Sequence, residues 1–396
     1  MRTSILALIL GATIGLAGCG SDSGSTGGSG GTNGFDELYE QGLDKYVGMF
    51  TPINTPTAES GVKTFEFEVP ADPAAEPRGP LCLRGTEYTV ETREGASDAL
   101  MIFLQGGGAC WEDFCSAVEE TNSISASGIL NPELAGNPVA DWDVVYLPYC
   151  DGSLFAGDVD RMLPGSVLGG AGGPSMGYQR GLQNLTAALD IAAAEFPSPS
   201  RILLTGVSGG AFGTITALPL VRLYYPDTEI LLFNDSGVGI AKDGEPEFVS
   251  ETLIAGWNAN SLVPASCTEC TSNGHVTRLI EWQLAADDDV TMGALSFSED
   301  QVISTFFLMI APADFTASLL AETERTTMMF EDRYKRFIPF GSAHTTLLRE
   351  NSDGGSEGLE IGSLETEIDG VDVLEWLTAM IEGTPAWDDL VDPSLQ

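Results

Sequence analysis

A chain of 396 residues with 58 acidic against 17 basic side chains carries a formal net charge of −41. That charge excludes nucleic acid as a partner, because phosphates would be repelled, and it argues against tight binding to a bare anionic lipid surface. The length and the 43% hydrophobic content suit one large α/β sheet domain with a substantial core.

The first segment does not belong to that domain. Arg2 precedes an apolar run, Ile5 to Leu16, that is too short for a comfortable membrane span and ends in Leu16-Ala17-Gly18-Cys19. Small residues before a cleavage point read as a secretory signal over residues 1–18. The cysteine that follows resembles the lipobox of bacterial lipoproteins. This resemblance implies cleavage before Cys19, lipid on that residue, and export to the cell envelope. Gly20, rather than aspartate, favours the outer membrane where the host is Gram-negative. The stretch "GSDSGSTGGSGGTNG", residues 20–34, has no apolar side chain to bury and reads as a flexible tether. The remaining residues, 35–396, are expected to form a single domain. Cys19 aside, six cysteines remain in an exported chain, which favours disulfides. Cys267 and Cys270 form a C-x-x-C with no second such pair and no histidine cluster nearby, so a small loop staple is expected rather than a zinc or redox site.

The pattern along the domain alternates. Residues 35–50 have helical spacing. Strands are expected in "KTFEFEV" at 63–69, "CLRGTEYTVETREG" at 82–95, the apolar "ALMIFLQ" at 99–105 and "WDVVYLPYC" at 142–150. An amphipathic helix follows at 178–196, then a strand and turn in "RILLTGVSGG" and another strand in "TEILLFNDSG", 228–237. "HVTRLIEWQLAADDD", 275–289, reads as an apolar strand running into three aspartates, and "VDVLEWLTAMIEG", 371–383, as a closing helix. Apolar runs alternating with helices predict a mostly parallel sheet covered by helices on both faces. In such sheets, function collects just past the carboxyl ends of strands.

Three places answer to that rule: the glycines after Gln105, the turn at Ser208, and the aspartates at 287–289. Gly206-Val207-Ser208-Gly209-Gly210 is a G-x-S-x-G between a buried strand and an apolar helix, where a sharp turn would hold the serine hydroxyl out to a substrate. A serine nucleophile needs a base. The chain has two histidines, His275 and His344. His275 lies beside the C-x-x-C, ahead of its apolar segment, and reads as a loop histidine. His344, in "IPFGSAHTTLL", follows both the serine and the aspartates, in the order Ser…Asp…His that α/β-hydrolases use. Spacing alone does not choose among Asp287, Asp288 and Asp289. The amide of Gly209 and those of the Gly106-Gly107-Gly108 run are candidate oxyanion donors.

Together these segments resemble the pectin acetylesterase/Notum-like family of carboxylesterases, with matches in the same order over most of the chain. "LQGGGACWEDFC" is similar to the family's glycine-rich oxyanion loop and cysteine pair, and "YLPYCDGSLFAGD" to its Tyr-Cys segment. "GYQRGLQNL" resembles the helix before the nucleophile, "TGVSGGAFG" the nucleophile turn, and "FNDSG" the strand end after it. "DDVT" and "SAHTTLL" lie where the family has its acid and base. The chain departs from the family in having Ser-Gly-Gly for Ser-Ala-Gly-Gly, and in placing Trp111 after the cysteine rather than within the glycine loop.

The resemblance implies an α/β-hydrolase fold and a Ser208–His344–Asp288 triad, the acid chosen through the frame Asp288-Asp289-Val290-Thr291. It also implies an oxyanion hole of Gly107, Gly108 and Gly209, and pairs Cys82 with Cys150 and Cys110 with Cys115, leaving Cys267 for Cys270. No metal or organic cofactor is expected. The expected activity is deacetylation or deacylation of a carbohydrate through an acyl-enzyme. The anionic chain disfavours anionic polygalacturonate and favours a neutral acylated glycan or a small ester. An amidase, or a glycan-binding lipoprotein on the same scaffold, are the alternatives.

Overall fold

In a computed structural model, the described residues are 34–73, 78–165, 173–351 and 359–396. The signal segment, Cys19 and the tether to residue 33 lie outside them. Asn33–Gln396 pack as one compact unit.

The core of the unit is a nine-stranded sheet. Its strands are β1 (Val62–Glu66), β2 (Thr89–Arg93), β3 (Leu100–Leu104), β4 (Asp143–Leu147), β5 (Arg201–Val207), β6 (Glu229–Asp235), β7 (Val290–Leu295), β8 (Tyr334–Ile338) and β9 (Leu390–Val391). They lie in the order β1-β2-β4-β3-β5-β6-β7-β8-β9. β1/β2 and β2/β4 are antiparallel; every other pair is parallel. Each parallel step needs a crossover, and these carry the helices α2 (Gly181–Glu195), α3 (Gly209–Tyr224), α4 (Thr277–Ala286), α5 (Pro312–Met329) and α6 (Val373–Glu382), after a short α1 (Asp36–Glu40). The mostly parallel sheet expected from the apolar runs is thus present, and it is α/β-hydrolase-like, as the resemblance implies.

Side chains alternate between the two faces of the sheet. Ile102, Leu104, Leu204 and Leu232 pack with Leu185, Leu218, Leu279 and Phe315 from helices α2 to α5. Met101, Phe103, Leu203 and Phe233 pack on the other face, with Trp376, Leu377 and Met380 of α6. All of these are buried, which explains why β3, β5 and β6 read as unbroken apolar runs.

The boundaries differ from the sequence reading in two places that matter. α3 begins at Gly209, directly after the serine, and not at Gly213, where the apolar run from Ile215 suggests its start. Residues 277–286, read as strand, form α4, with Leu279, Ile280 and Leu284 on its buried side at helical spacing. The strand is the next segment, β7, and so the aspartates at 287–289 lie at its amino end rather than past a carboxyl end.

Three disulfides join Cys82 to Cys150, Cys110 to Cys115 and Cys267 to Cys270. The second closes the hairpin Gly108–Trp111/Phe114–Ala117, where the two cysteines face each other across the strands. No single helix among the described residues is long and apolar enough to cross a membrane.

Candidate active site

β5 ends at Val207, and Ser208 turns the chain into α3 with φ 55° and ψ −121°. Positive φ is strained for a residue with a Cβ, and it persists only where the surroundings hold it. Here its amide donates to the Asp235 carbonyl at 2.8 Å, and its carbonyl accepts from Phe212 at 3.1 Å. Small neighbours make room for the turn. A Cβ on Gly210 would lie 2.1 Å from the Leu104 carbonyl oxygen, and one on Gly206 2.5 Å from that of Gly210. The G-x-S-x-G therefore forms a strained strand-to-helix elbow, and the serine is half-buried at its tip.

The glycine loop after β3 lies against this elbow. A Cβ on Gly106 would sit 2.9 Å from that of Ser208, and one on Gly209 would sit 3.6 Å from the Gly107 nitrogen. Gly108, at φ 88°, opens the disulfide-closed hairpin. The Tyr149 hydroxyl donates to the Gly108 carbonyl at 2.8 Å and accepts from the Leu154 amide at 3.0 Å, which fixes the loop from behind. Gly107, Gly108 and Gly209 are thereby brought together beside Ser208.

His344 lies in the loop after β8. It is buried, and its Nδ1 is 2.7 Å from Oδ2 of Asp300. Asp300 is fully buried, five residues past the end of β7, and its other oxygen accepts from the Ile303 amide at 3.0 Å. A carboxylate on Nδ1 selects the tautomer that carries its proton there, leaving Nε2 as an acceptor. Nε2 has no hydrogen-bond partner among the described residues. The loop that carries His344 is bound to the end of β6: Thr345 donates its amide to Ser236 Oγ at 3.0 Å, and Thr346 and Leu347 donate theirs to Asp235 Oδ2 at 2.7 and 2.9 Å. Burial pushes the Asp235 carboxyl up to about 6, against the pull of those amides and of His344.

The acid expected at Asp288 is corrected by this geometry. The Asp288 side chain is 91% exposed and pairs with Arg333 at 3.2 Å. Asp287 makes a buried ion pair with Arg222 at 2.6 Å, tying the end of α4 to α3, and it accepts the Asp289 amide. The triplet belongs to the amino edge of the sheet, and the carboxylate facing His344 is Asp300. The order Ser…Asp…His is unchanged. His275 is buried, its Nδ1 accepting the Ala241 amide at 3.0 Å; burial is the main cause that lowers its pKa.

Asp300 is not among the sequence candidates because the apolar pattern reads as strand before the aspartate triplet, whereas the strand is Val290–Leu295 after it. The signal was present: "VTMGALSF" is an apolar run, and an aspartate follows it closely.

An apolar pocket opens at Ser208. Phe212 and Ile215 of α3 form one wall, and Trp111 of the hairpin and Leu279 of α4 contribute others. Two π-helical segments, Phe248–Ala255 and Val302–Leu308, complete it, supplying Phe248 and Phe307 among others. π-Helices are rare and concentrate at functional sites. Among the described residues no charged side chain lines the pocket; besides Ser208, its polar side chains are Thr216 and the indoles of Trp111 and Trp257, and the Trp257 N–H is satisfied by the Cys110 carbonyl. Among the described residues no group of three or more His, Cys, Asp or Glu is placed to hold a metal ion.

The chain is similar in sequence to known proteins. A family model for pectinacetylesterase matches residues 72–271, just over half of the chain. Pectin acetylesterases 11 and 7 of Arabidopsis thaliana are 26% and 27% identical over 218 residues, covering 49% of this chain and 53% of each relative. Pectin acetylesterase 4 of the same plant is 26% identical over 179 residues, 41% of this chain and 42% of that protein. The chain thus spans about half the length of the curated relatives it matches. The family match contains the glycine loop, all three disulfides, Ser208 and Asp235, while Asp300 and His344 lie beyond its end. On the extent of that match, the chain belongs to the pectinacetylesterase family.

Proposed function

We propose that this protein is a serine carboxylesterase that removes an apolar acyl group from a carbohydrate hydroxyl. The observation that carries the reading is the buried Asp300–His344 pair, its Nε2 without a partner among the described residues, in a loop past the carboxyl end of β8 as Ser208 lies past that of the parallel strand β5. Ser208 Oγ attacks the ester carbonyl while His344 Nε2 takes its proton. The tetrahedral oxyanion is stabilised by the amides of Gly107, Gly108 and Gly209. His344 returns the proton to the leaving alcohol, then activates the water that hydrolyses the acyl-enzyme. Asp300 holds the imidazole tautomer and balances the charge that develops on it.

The acyl side of the site favours more than acetate. The pocket that includes Ser208 has an apolar lining that runs from Phe212 and Ile215 of α3 to Leu279 of α4, more apolar surface than an acetyl group needs. Each further methylene buried there contributes about 0.8 kcal/mol. On the alcohol side, the relatives' names supply the carbohydrate, and the net charge of −41 favours a neutral one. Export and a lipid anchor on Cys19 complete the proposal; labelled palmitate should enter the wild type and not Cys19→Ala.

A series of p-nitrophenyl esters from acetate to octanoate tests the function. kcat/KM should rise with chain length to at least butyrate. A maximum at acetate would refute the acyl-chain reading and leave an acetylesterase, and no hydrolysis of any ester, with no labelling of Ser208 by a fluorophosphonate, would refute the esterase.

A further inference from the structure

Asp235 is bound to both halves of the site. Its main-chain carbonyl accepts the Ser208 amide at 2.8 Å, so the nucleophile's backbone hangs from it. Its side-chain Oδ2 accepts the amides of Thr346 and Leu347, at 2.7 and 2.9 Å, and the Thr346 hydroxyl at 3.3 Å. The next residue, Ser236, accepts the Thr345 amide. Three successive amides immediately after the base therefore end on two successive side chains at the tip of β6. Ser236 and Thr345 both have positive φ, 67° and 56°, the signature of a junction held by its contacts.

We propose that Asp235 is a positioning residue: it sets the distance between the Ser208 turn and the His344 loop, and its charge favours the imidazolium that forms in the transition state. The inference rests on the Ser208–His344 reading above and adds a second carboxylate to it. Asp300 touches the imidazole at Nδ1; Asp235 acts through the loop that carries it. A neutral acceptor would satisfy the amides equally well; what an aspartate adds is the charge. Fully buried, the carboxyl is harder to ionise than in water, and the groups that favour its ionised form are the loop amides and His344. The strands beside it in the sheet oppose Val207 and Leu295 to it, neither charged. Among the described residues, the ionisable groups at this junction besides Asp235 are thus His344 and, behind it, Asp300. A charge close to a developing cation lowers a barrier only to the extent that it acts more strongly on the transition state than on the ground state, and here the cation exists only after proton transfer.

Asp235→Asn separates geometry from charge, because the amide oxygen still accepts from the loop. The experiment follows p-nitrophenyl butyrate hydrolysis and fluorophosphonate labelling of Ser208 from pH 4.5 to 9, with near-UV circular dichroism reporting the fold. Asp235→Asn should lose about tenfold in kcat with KM changed less than about twofold, as expected for a base misaligned or less stabilised in the transition state. Its acid limb should move to lower pH, because removing a neighbouring negative charge makes the imidazolium harder to form. Ser236→Ala, which removes one loop contact and no charge, should lower kcat without moving that limb. Asp235→Glu keeps the charge and should retain the wild-type limb with reduced kcat; it carries the test if the asparagine variant does not fold. An unmoved limb in Asp235→Asn, or a moved limb in Asp235→Glu, would overturn the inference while leaving the esterase reading intact. Absence of Ser208 labelling in the wild type would overturn that reading itself, and the inference with it.

Discussion

His344 Nδ1 and Asp300 Oδ2 lie 2.7 Å apart in the interior, joining the loop after β8 to the loop after β7. If this pair orients the base, Asp300→Asn should lower kcat on an activated ester by about 10⁴, because an amide stabilises the wrong imidazole tautomer. Asp288→Asn, at an exposed carboxylate on the opposite edge of the sheet, should stay within about twofold of the wild type, as surface substitutions away from a site do. Ser208→Ala and His344→Ala should fall as far as Asp300→Asn or further, without adding to each other. Steady-state kinetics on the four variants decides the matter; the assignment fails if Asp288→Asn is the more damaged acid variant.

The pocket wall on α3 offers a test of acyl selection. Ile215 is buried and lines the pocket two turns beyond the nucleophile. Ile215→Phe should shorten the space for the chain while leaving the elbow alone. The octanoate-to-acetate ratio of kcat/KM should fall by about tenfold or more, in line with roughly 1–3 kcal/mol per displaced methylene in a filled pocket. An unchanged ratio would mean that the chain does not run along α3.

The three disulfides should differ in their contribution to stability. Cys82–Cys150 closes a separation of 68 residues, Cys110–Cys115 one of 5 and Cys267–Cys270 one of 3. Loop-closure entropy alone assigns about 4 kcal/mol to the first and about 2 kcal/mol to each of the others. Denaturant titrations of the three paired Cys→Ala variants should rank them in that order for stability. For activity, the Cys110/Cys115 variant should lose most, since its hairpin begins at Gly108 beside Ser208.

Asp151 provides a pH signature of stability. Burial raises its carboxyl from 3.8 to about 6, against the hydrogen bonds from Ser153. A carboxyl that is less acidic when folded keeps its proton longer than in the unfolded chain. From about pH 4 to pH 6 its contribution to stability therefore falls as pH rises, and above pH 6 the loss is complete. Asp151→Asn does not titrate, so its stability relative to the wild type should climb across that window and then level off. The rise from 3.8 to about 6 sets an upper bound of about 3 kcal/mol on the climb. A difference that is flat with pH would show that Asp151 is not the group responsible.

The sheet, the elbow and the glycine loop were legible in the sequence because each is a local pattern. Strands buried on both faces must be continuously apolar, as "ALMIFLQ" and "RILLTGV" are. A serine held at positive φ between a strand and a helix demands small neighbours, and Gly206, Gly209 and Gly210 supply them. The carboxylate that faces His344 was not legible in that way. Asp287 to Asp289 and Asp300 flank the same strand, and choosing between them required knowing which segment was the strand. An apolar helix such as "RLIEWQLAA" and an apolar strand such as "VTMGAL" bury the same residue types, and a run this short does not separate their periods. The direction of β7 in the parallel sheet then decides everything: its amino end delivers the triplet to Arg222 and Arg333, and its carboxyl end delivers Asp300 to His344. The clasp of Asp235 on the His344 loop joins residues more than a hundred positions apart, and only the folded sheet brings that carboxylate and those amides together.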